Sequence, residues 1–221
     1  YEVSKQLPLI KPINEKKESD EIIYLSFDEL NKIENTLLTN DALINARKWL
    51  LLGCNIGQRG GDLFKVNPES VKQLNGLKVI ELEQEKTGKL VVIPVLPKVE
   101  EILKDDFPYK ISIQHFNKHI KEICRIANID TPTKGKIVDV ATNRKVKGIY
   151  PKYKLVSSHI CRRSFASNFY GEIPTPLLMS ITGHGTENMF LKYIGKSSYD
   201  NAYQMMEHFN KFQSKEKESK L

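Results

Sequence analysis

The spacing of apolar residues predicts a chain built mainly of helices. The first begins after Ser26, because Ser26 and Glu29 have the spacing of a capping box and Phe27, Leu30 and Ile33 recur at helical intervals that extend to Leu37. Similar periodicity predicts further helices over about 41–54, 62–66, 97–105, 112–127, 157–169 and 199–212, with a helix-like segment before Gly183.

Two stretches predict antiparallel hairpins instead. Residues 77–83 and 90–95 are rich in β-branched and apolar side chains, and the intervening Gln84–Lys89 segment contains a Thr-Gly turn with Lys86 at its tip. Residues 136–150 form a second candidate hairpin rich in Lys and Arg, which suits either a DNA-facing loop or an ordinary solvated one. The expected fold class is therefore α+β, mainly α with a small antiparallel sheet.

Composition sets the broad class of protein. A chain of 221 residues that is 40% hydrophobic can build a core in one large domain or two small ones. The net charge of +7 favours a polyanionic partner, although many basic proteins bind none. Three scattered cysteines indicate neither a disulfide framework nor a zinc site. With no signal peptide or apolar run of membrane-spanning length, we expect a cytoplasmic protein with no membrane partner.

The termini differ from the middle of the chain. Residues 1–23, with Pro8, Pro12 and many charges, predict a linker, so we expect that an upstream domain has been left off. Residues 24–213 form the expected domain, and the charged segment 214–221 is predicted to be disordered.

Candidate chemistry begins with Arg59, which lies among glycines that permit close approach of a ligand, although it could simply pair with Asp62. His159 and Arg162 share a helix face, where imidazole and guanidinium together suit a phosphate. His115 and His119 are four residues apart but lack a third ligand at matching spacing, so they are interpreted as ordinary surface or core histidines.

The ordered set of motifs resembles the catalytic domain of the tyrosine recombinase, or phage integrase, family from about Tyr24 to Phe209. The segment LLLGCNIGQRGGDL resembles the family's first-arginine segment, SSHICRRSFASNFY its H-x-x-R helix, and LMSITGHGTENMFLKYI its histidine and nucleophilic tyrosine box. Gly60 and Gly61 stand where relatives usually carry a polar or small residue. No helical DNA-clamping domain is recognisable before residue 24, although members normally have one.

The resemblance implies a multihelical catalytic-domain fold and a site-specific recombinase that cleaves and rejoins DNA through a 3′-phosphotyrosine, without metal, ATP or another cofactor. The implied catalytic residues are Arg59, Lys86, His159, Arg162, His184 and Tyr193. Tyr193 would be the nucleophile, His159 its general base and Lys86 the general acid, with Lys89 as the competitor for that role. The arginines and His184 would stabilise the transition state.

Further expectations concern partners and neighbouring residues. The implied partner is double-stranded DNA in a tetrameric synapse that exchanges the C-terminal helix, although that helix could equally pack on its own chain. The gene would be prokaryotic or phage-encoded. Tyr170, Tyr199 and Tyr203 are expected to be packing residues, and Cys161 and Arg163 a core thiol and a backbone contact.

Two other functions fit parts of this pattern. A type IB topoisomerase-like nicking-closing enzyme shares the chemistry, but the chain is short and its motifs resemble those of integrases. A DNA-binding or assembly factor could retain the fold without catalysis, but the complete set of candidate residues favours an enzyme.

Overall fold

The structure is a computed structural model that describes residues 22–104, 106–139 and 141–218; residues 1–21 of the expected linker lie outside this range. The helices are α1 (Phe27–Asn35), α2 (Asp41–Ile56), α3 (Gly60–Leu63), α4 (Pro97–Ile102), α5 (Ile113–Ile126), α6 (Lys152–Leu155), α7 (His159–Phe169), α8 (Thr175–Thr182), α9 (Glu187–Ile194) and α10 (Ser198–Glu218). The strands are β1 (Val71–Leu74), β2 (Leu77–Gln84), β3 (Lys89–Pro94), β4 (Pro132–Val138) and β5 (Lys145–Pro151).

Helix α2 lies at the centre of the main core. Asn40 caps it, with its side chain accepting hydrogen bonds from the N–H groups of Ala42 and Leu43. Helices α4, α5 and α7 pack around α2, and Trp49 and Leu52 are among its fully buried side chains. Because α2 is covered on several sides, it holds the turn at its C-terminal end firmly against α7.

The first sheet is antiparallel, in the order β1-β2-β3. The predicted hairpin of β2 and β3 is confirmed, and its register places Gln84 opposite Lys89. Strand β1 was not predicted, because its four residues are exposed or only half-buried and therefore show no alternation. This sheet carries the 85–88 turn at one end.

The second predicted hairpin is also confirmed and begins earlier than expected, at Pro132. Lys136 lies opposite Lys147, and Val138 lies opposite Lys145. Since side chains alternate across a strand, Lys134, Lys136, Lys145 and Lys147 all lie on one face of this hairpin. We call these four residues the lysine face.

A smaller apolar cluster lies beyond α7. Its buried members are Phe165, Ala166, Leu178, Phe190 and Ile194, and Tyr193 packs against them. Helices α8 and α9 each end at a glycine in the left-handed region. The cluster therefore fixes two short helices against α7.

Three local expectations need correction. Helix α1 ends at Asn35, so Leu37 lies beyond it and is largely exposed. Ser157 and Ser158 are candidate N-caps of α7 by residue type, but the Ser158 hydroxyl makes no capping bond; its backbone N–H instead donates to Asn117 Oδ1. Helix α10 continues to Glu218, into the segment expected to be disordered, because Lys and Glu favour helix.

The tyrosines of α10 are the fourth correction. Tyr199 and Tyr203 are 81% and 76% exposed, so within the described residues they are not packing residues. Tyr170 does pack against the smaller cluster, and its hydroxyl donates to Asn201.

No helix in the described part of the chain has both the length and the apolar character needed to cross a membrane.

Candidate active site

Arg59 is presented by the turn that follows α2. Gly57 ends that helix in the left-handed region, and a Cβ at this position would lie 2.5 Å from Phe165 Cδ1 on α7. Only glycine allows both the backbone conformation and the close approach of the phenyl ring. The turn is thereby pressed against α7, and Arg59 becomes the N-cap residue of α3.

Arg162 reaches the same turn from α7. Its side chain is only 2% exposed, and Nη1 donates a long hydrogen bond of 3.4 Å to the carbonyl of Gly57. Burial, followed by the nearby charge of Arg59, lowers the pKa of Arg162 to about 10. The guanidinium therefore remains charged at neutral pH, and the two arginines that the sequence pattern singles out are brought together.

These two arginines carry buried donors that the protein does not use. Within the described part of the chain, Arg59 Nη1 and Arg162 Nη2 are buried and have no hydrogen-bond partner. Asp62 Oδ2 lies 3.9 Å from Arg59 Nη1, which is ion-pair range but too long for a hydrogen bond. Buried, unpaired guanidinium donors of this kind favour an anionic ligand.

Lys86 and His159 lie near Arg59. All three line a cleft of about 290 Å³ that also includes Ser158 and Asp62. Lys86 is exposed on the 85–88 turn, and Asp62 Oδ1 accepts a 2.8 Å hydrogen bond from the backbone N–H of Glu85 in that turn. Lys89 is absent from the lining and begins β3 opposite Gln84.

His159 is accessible to solvent, yet its pKa is lowered by partial burial and by the charges of Arg163, Arg59 and Arg162, in that order. The neutral imidazole therefore predominates at neutral pH. It can accept a proton from a group that enters the cleft.

Tyr193 lies in the last turn of α9, beside His184. The centroids of the two rings are 4.9 Å apart. The Tyr193 hydroxyl is buried and makes no hydrogen bond within the described residues. Burial raises the pKa of Tyr193, whereas Arg162, Arg163 and Arg59 oppose this effect. The phenol is thus protonated at neutral pH and lies among cations that would stabilise its anion.

The tautomer of neutral His184 follows from its neighbour. The hydroxyl of Thr182 donates to the carbonyl of Leu178, 2.7 Å away, because that carbonyl can only accept. The same hydroxyl lies 2.9 Å from His184 Nδ1 and must therefore accept from it. Neutral His184 carries its lone pair on Nε2. Burial, with the charges of Arg162 and Arg59, lowers the pKa of His184 to about 4.

Arg163 lies beside Tyr193, a contact that the sequence analysis did not predict. Its guanidinium carbon lies 5.4 Å from the centroid of the Tyr193 ring, within cation–π range. The signal was present in the sequence, because Arg163 follows His159 by four residues and shares a helix face with it just as Arg162 does. Asp62, Thr182 and the buried glutamines Gln58 and Gln84 were also missed as parts of the site.

Within the described residues, no group of three or more His, Cys, Asp or Glu side chains has the arrangement of a metal site. The three cysteines are buried and free.

Comparisons with known proteins identify the fold. No family model and no curated protein sequence matches the chain. Among solved structures, the chain is similar to XerH site-specific recombinase bound to its difH substrate, with 15% identity and a TM-score of 0.57 over 86% of this chain and 55% of that one. A lambda integrase dimer bound to a COC′ core site gives 17% identity and a TM-score of 0.57 over 82% and 62%.

A third similar structure is the Tn1549 transposon integrase in complex with transposon right end DNA, with 13% identity and a TM-score of 0.58 over 88% of this chain and 68% of that one. The chain thus spans between about half and two thirds of the length of these recombinases. The expected α+β fold is confirmed. The chain has the fold of the tyrosine recombinase catalytic domain.

Proposed function

We propose that the protein is a site-specific DNA recombinase of the integrase type, which cleaves and rejoins DNA through a 3′-phosphotyrosine. The observation that carries this proposal is the pair of buried, unpaired guanidinium donors on Arg59 and Arg162 close to the hydroxyl of Tyr193. A phosphodiester would satisfy those donors while its phosphorus faces the phenol. The solved structures of similar fold support DNA as the substrate, since XerH is described in a post-cleavage complex with palindromic difH.

In the proposed cleavage step, Tyr193 Oη attacks the scissile phosphorus and the bond from phosphorus to the 5′-oxygen breaks. The phenolic proton passes to neutral His159, and Lys86 donates a proton to the departing 5′-oxygen. The phosphodiester energy is retained in the tyrosyl phosphate, so rejoining needs no ATP. Lys86 serves as the acid, and Arg59 and Arg162 bind the phosphate. These steps therefore require no metal ion or other cofactor.

The arginines would stabilise charge on the pentavalent transition state. Full ionisation of an ordinary phenol at neutral pH would cost about 4 kcal/mol. Burial of Tyr193 raises that cost, and its three neighbouring arginines lower it. The favourable route is therefore attack concerted with proton transfer.

His184 is proposed to hydrogen-bond to the phosphate oxygens, which requires a proton on Nε2. Burial lowers the pKa of His184 in the free protein, and Arg162 and Arg59 lower it further, so a bound phosphate that offsets the charge of the arginines would raise it. Substrate binding and protonation of His184 would then favour each other.

Lys86 is preferred to Lys89 as the acid because Lys86 lines the cleft with Arg59 and His159. Lys86→Ala should lose cleavage, whereas Lys89→Ala should retain it. If Lys89→Ala lost cleavage and Lys86→Ala retained it, Lys89 would be the general acid.

The decisive test of the enzyme proposal is covalent trapping. The protein is incubated with nicked suicide duplexes carrying candidate attachment sites, and denaturing gels are used to detect a protein–DNA adduct. Tyr193→Phe should abolish the adduct, whereas Tyr170→Phe, a tyrosine hydrogen-bonded to Asn201, should retain it. An adduct that survives in Tyr193→Phe would reject the nucleophile. DNA binding without an adduct in the unmodified protein would favour a non-catalytic assembly factor.

Assembly on DNA is proposed to use α10 of a neighbouring protomer in a tetrameric synapse. Its apolar side chains Tyr203, Met206 and Phe209 are exposed, and a cleft of about 660 Å³ lies between the start of α10 and the body of the protein. Exposed apolar side chains at helical spacing favour burial against another surface. Met206→Glu and Phe209→Glu should reduce synapse formation while leaving cleavage of a single half-site unchanged. Unchanged synapsis would reject the exchange.

A further inference from the structure

Two buried glutamines join the separate parts of the candidate site. Gln58 and Gln84 are both 0% exposed, and Gln84 Nε2 donates a 2.8 Å hydrogen bond to Gln58 Oε1. Gln58 immediately precedes Arg59, and Gln84 ends β2 two residues before Lys86. The two amides therefore connect the arginine turn directly to the lysine turn.

The same pair also holds the segment that leads to His184. Gln58 Nε2 donates 3.0 Å hydrogen bonds to the carbonyls of Ile56 and Ile181, and Gln84 Nε2 donates to Ile181 at 3.2 Å. A carbonyl can only accept, so the orientation of both amides is fixed. Ile181 lies three residues before His184, near the end of α8.

Gln84 also closes the turn that carries Lys86. Its backbone carbonyl accepts from the N–H groups of Thr87 and Gly88, and its Oε1 accepts from the Thr87 hydroxyl at 3.2 Å. A Cβ at Gly183 would lie 2.3 Å from Gln84 Oε1, so this amide fills the space beside the residue before His184. One side chain thus contacts both the lysine turn and the histidine segment.

Only an amide satisfies these contacts. Gln84 Nε2 must donate to both Gln58 Oε1 and the Ile181 carbonyl, while Gln84 Oε1 must accept from the Thr87 hydroxyl. A glutamate could not donate to Gln58 or Ile181, and an apolar side chain would leave buried polar atoms unpaired. The pair is fully satisfied by protein groups and is not exposed, so it has no direct role toward DNA.

We infer that Gln58 and Gln84 are positioning residues that hold Arg59, the Lys86 turn and the His184 segment in the relative placement needed for cleavage. This inference rests on the proposed recombinase function, with Lys86 as the acid. Loss of the Gln84 amide should chiefly impair delivery of the proton to the 5′-oxygen, because its Oε1 accepts the hydrogen bond from the Thr87 hydroxyl that joins the exposed Lys86 turn to the buried pair.

The experiment compares two suicide duplexes with the full chain. One has the natural 5′-oxygen at the scissile phosphate, and the other has a bridging 5′-sulfur. A thiol has a pKa of about 8.5, so a sulfur leaving group departs without a proton donor. General acid catalysis contributes about 10²- to 10⁴-fold, so Lys86→Ala should lose about that much on the oxygen duplex and regain most of it on the sulfur duplex.

Gln84→Met, which keeps the length of the side chain, should lose about tenfold or more on the oxygen duplex and recover on the sulfur duplex. Gln58→Met should be impaired on both, because Arg59 binds the phosphate whatever the leaving group is. Gln73→Met, an exposed glutamine on β1, is the matched control and should behave as the unmodified protein.

The outcomes separate the two proposals. If Lys86→Ala is not recovered by sulfur, the proposed acid is wrong. If Lys86→Ala is recovered but Gln84→Met is equally impaired on both duplexes, or not impaired at all, the positioning inference is overturned. If Gln84→Met fails to fold, Thr87→Val takes its place in the same comparison, because it removes only the hydroxyl that donates to Gln84 Oε1. A several-fold loss confined to the oxygen duplex supports the inference, and no loss overturns it.

Discussion

Replacing Arg162 by methionine should make the free protein more stable and catalytically inactive. The cation is 2% exposed, has one long hydrogen bond and lies beside the charge of Arg59. These surroundings lower its pKa from 12.5 to about 10. At about 1.36 kcal/mol per pKa unit, that fall disfavours the folded cation by about 3 kcal/mol. Methionine keeps much of the buried alkyl volume and removes the charge.

We therefore expect the free energy of unfolding to rise by about 1–3 kcal/mol in Arg162→Met. The sign follows from the lowered pKa, since Arg162 is charged in both folded and unfolded states at neutral pH and only the folded state carries the penalty. Urea unfolding followed by fluorescence of Trp49, the single tryptophan, reports directly on the core. Adduct formation on the suicide duplex should fall by at least about 100-fold.

Arg125→Met provides the matched control. Arg125 forms an exposed ion pair with Glu122 on α5, 2.6 Å long, and its replacement should change stability by less than about 1 kcal/mol. A loss of about 2 kcal/mol or more in Arg162→Met, with Arg125→Met unchanged, would show that Arg162 stabilises the fold, and would refute the reasoning.

Three further predictions test other contacts. Arg163→Ala removes a cation that lowers the pKa of Tyr193, so the pH profile of adduct formation should move to higher pH, and an unchanged profile would contradict the contact. Lys147→Ala should weaken DNA binding independently of sequence and reduce the slope of log affinity against log salt by about 0.9. Gly57→Ala should lower the free energy of unfolding by about 2 kcal/mol or more, measured in urea, because its Cβ would clash with Phe165 and its φ is +67°.

Two of these predictions have controls within the chain. Gly88 also has a left-handed φ, of +61°, but a Cβ there meets only Glu83 Oε1 at 3.9 Å, so Gly88→Ala should lose less stability than Gly57→Ala. Equal losses would show that the close approach to α7 is unimportant. For the lysine face, Lys72→Ala on the other sheet should leave the salt slope unchanged.

Features set by neighbouring residues were predictable from the sequence. The capping box of Ser26 and Glu29 forms as expected, and the lysine-bearing turn between β2 and β3 lies where its Thr-Gly sequence indicates. His159 and Arg162 fall on α7 at the expected spacing. Each of these depends on residues fewer than six positions apart, for which propensity and periodicity carry the information.

Features that depend on distant partners were not predictable in this way. The bonds from Gln58 to Ile181 and from Arg162 to Gly57 span more than one hundred residues, and nothing local indicates which distant groups these residues bind. The exposed stripe of α10 was a similar case, since apolar periodicity predicts a buried face but does not identify the chain that covers it.

The unpaired donors of Arg59 and Arg162 also have a practical consequence for handling the protein. Sulfate and phosphate present the same oxygens as a phosphodiester, so we expect these buffer ions to occupy the site and to compete with DNA. An ion that binds only the folded protein raises the free energy of unfolding, by about 2.7 kcal/mol at one hundred times its dissociation constant, and the melting temperature rises with it. Melting temperatures and DNA affinities will therefore be comparable between preparations only when the buffer anion and its concentration are held fixed.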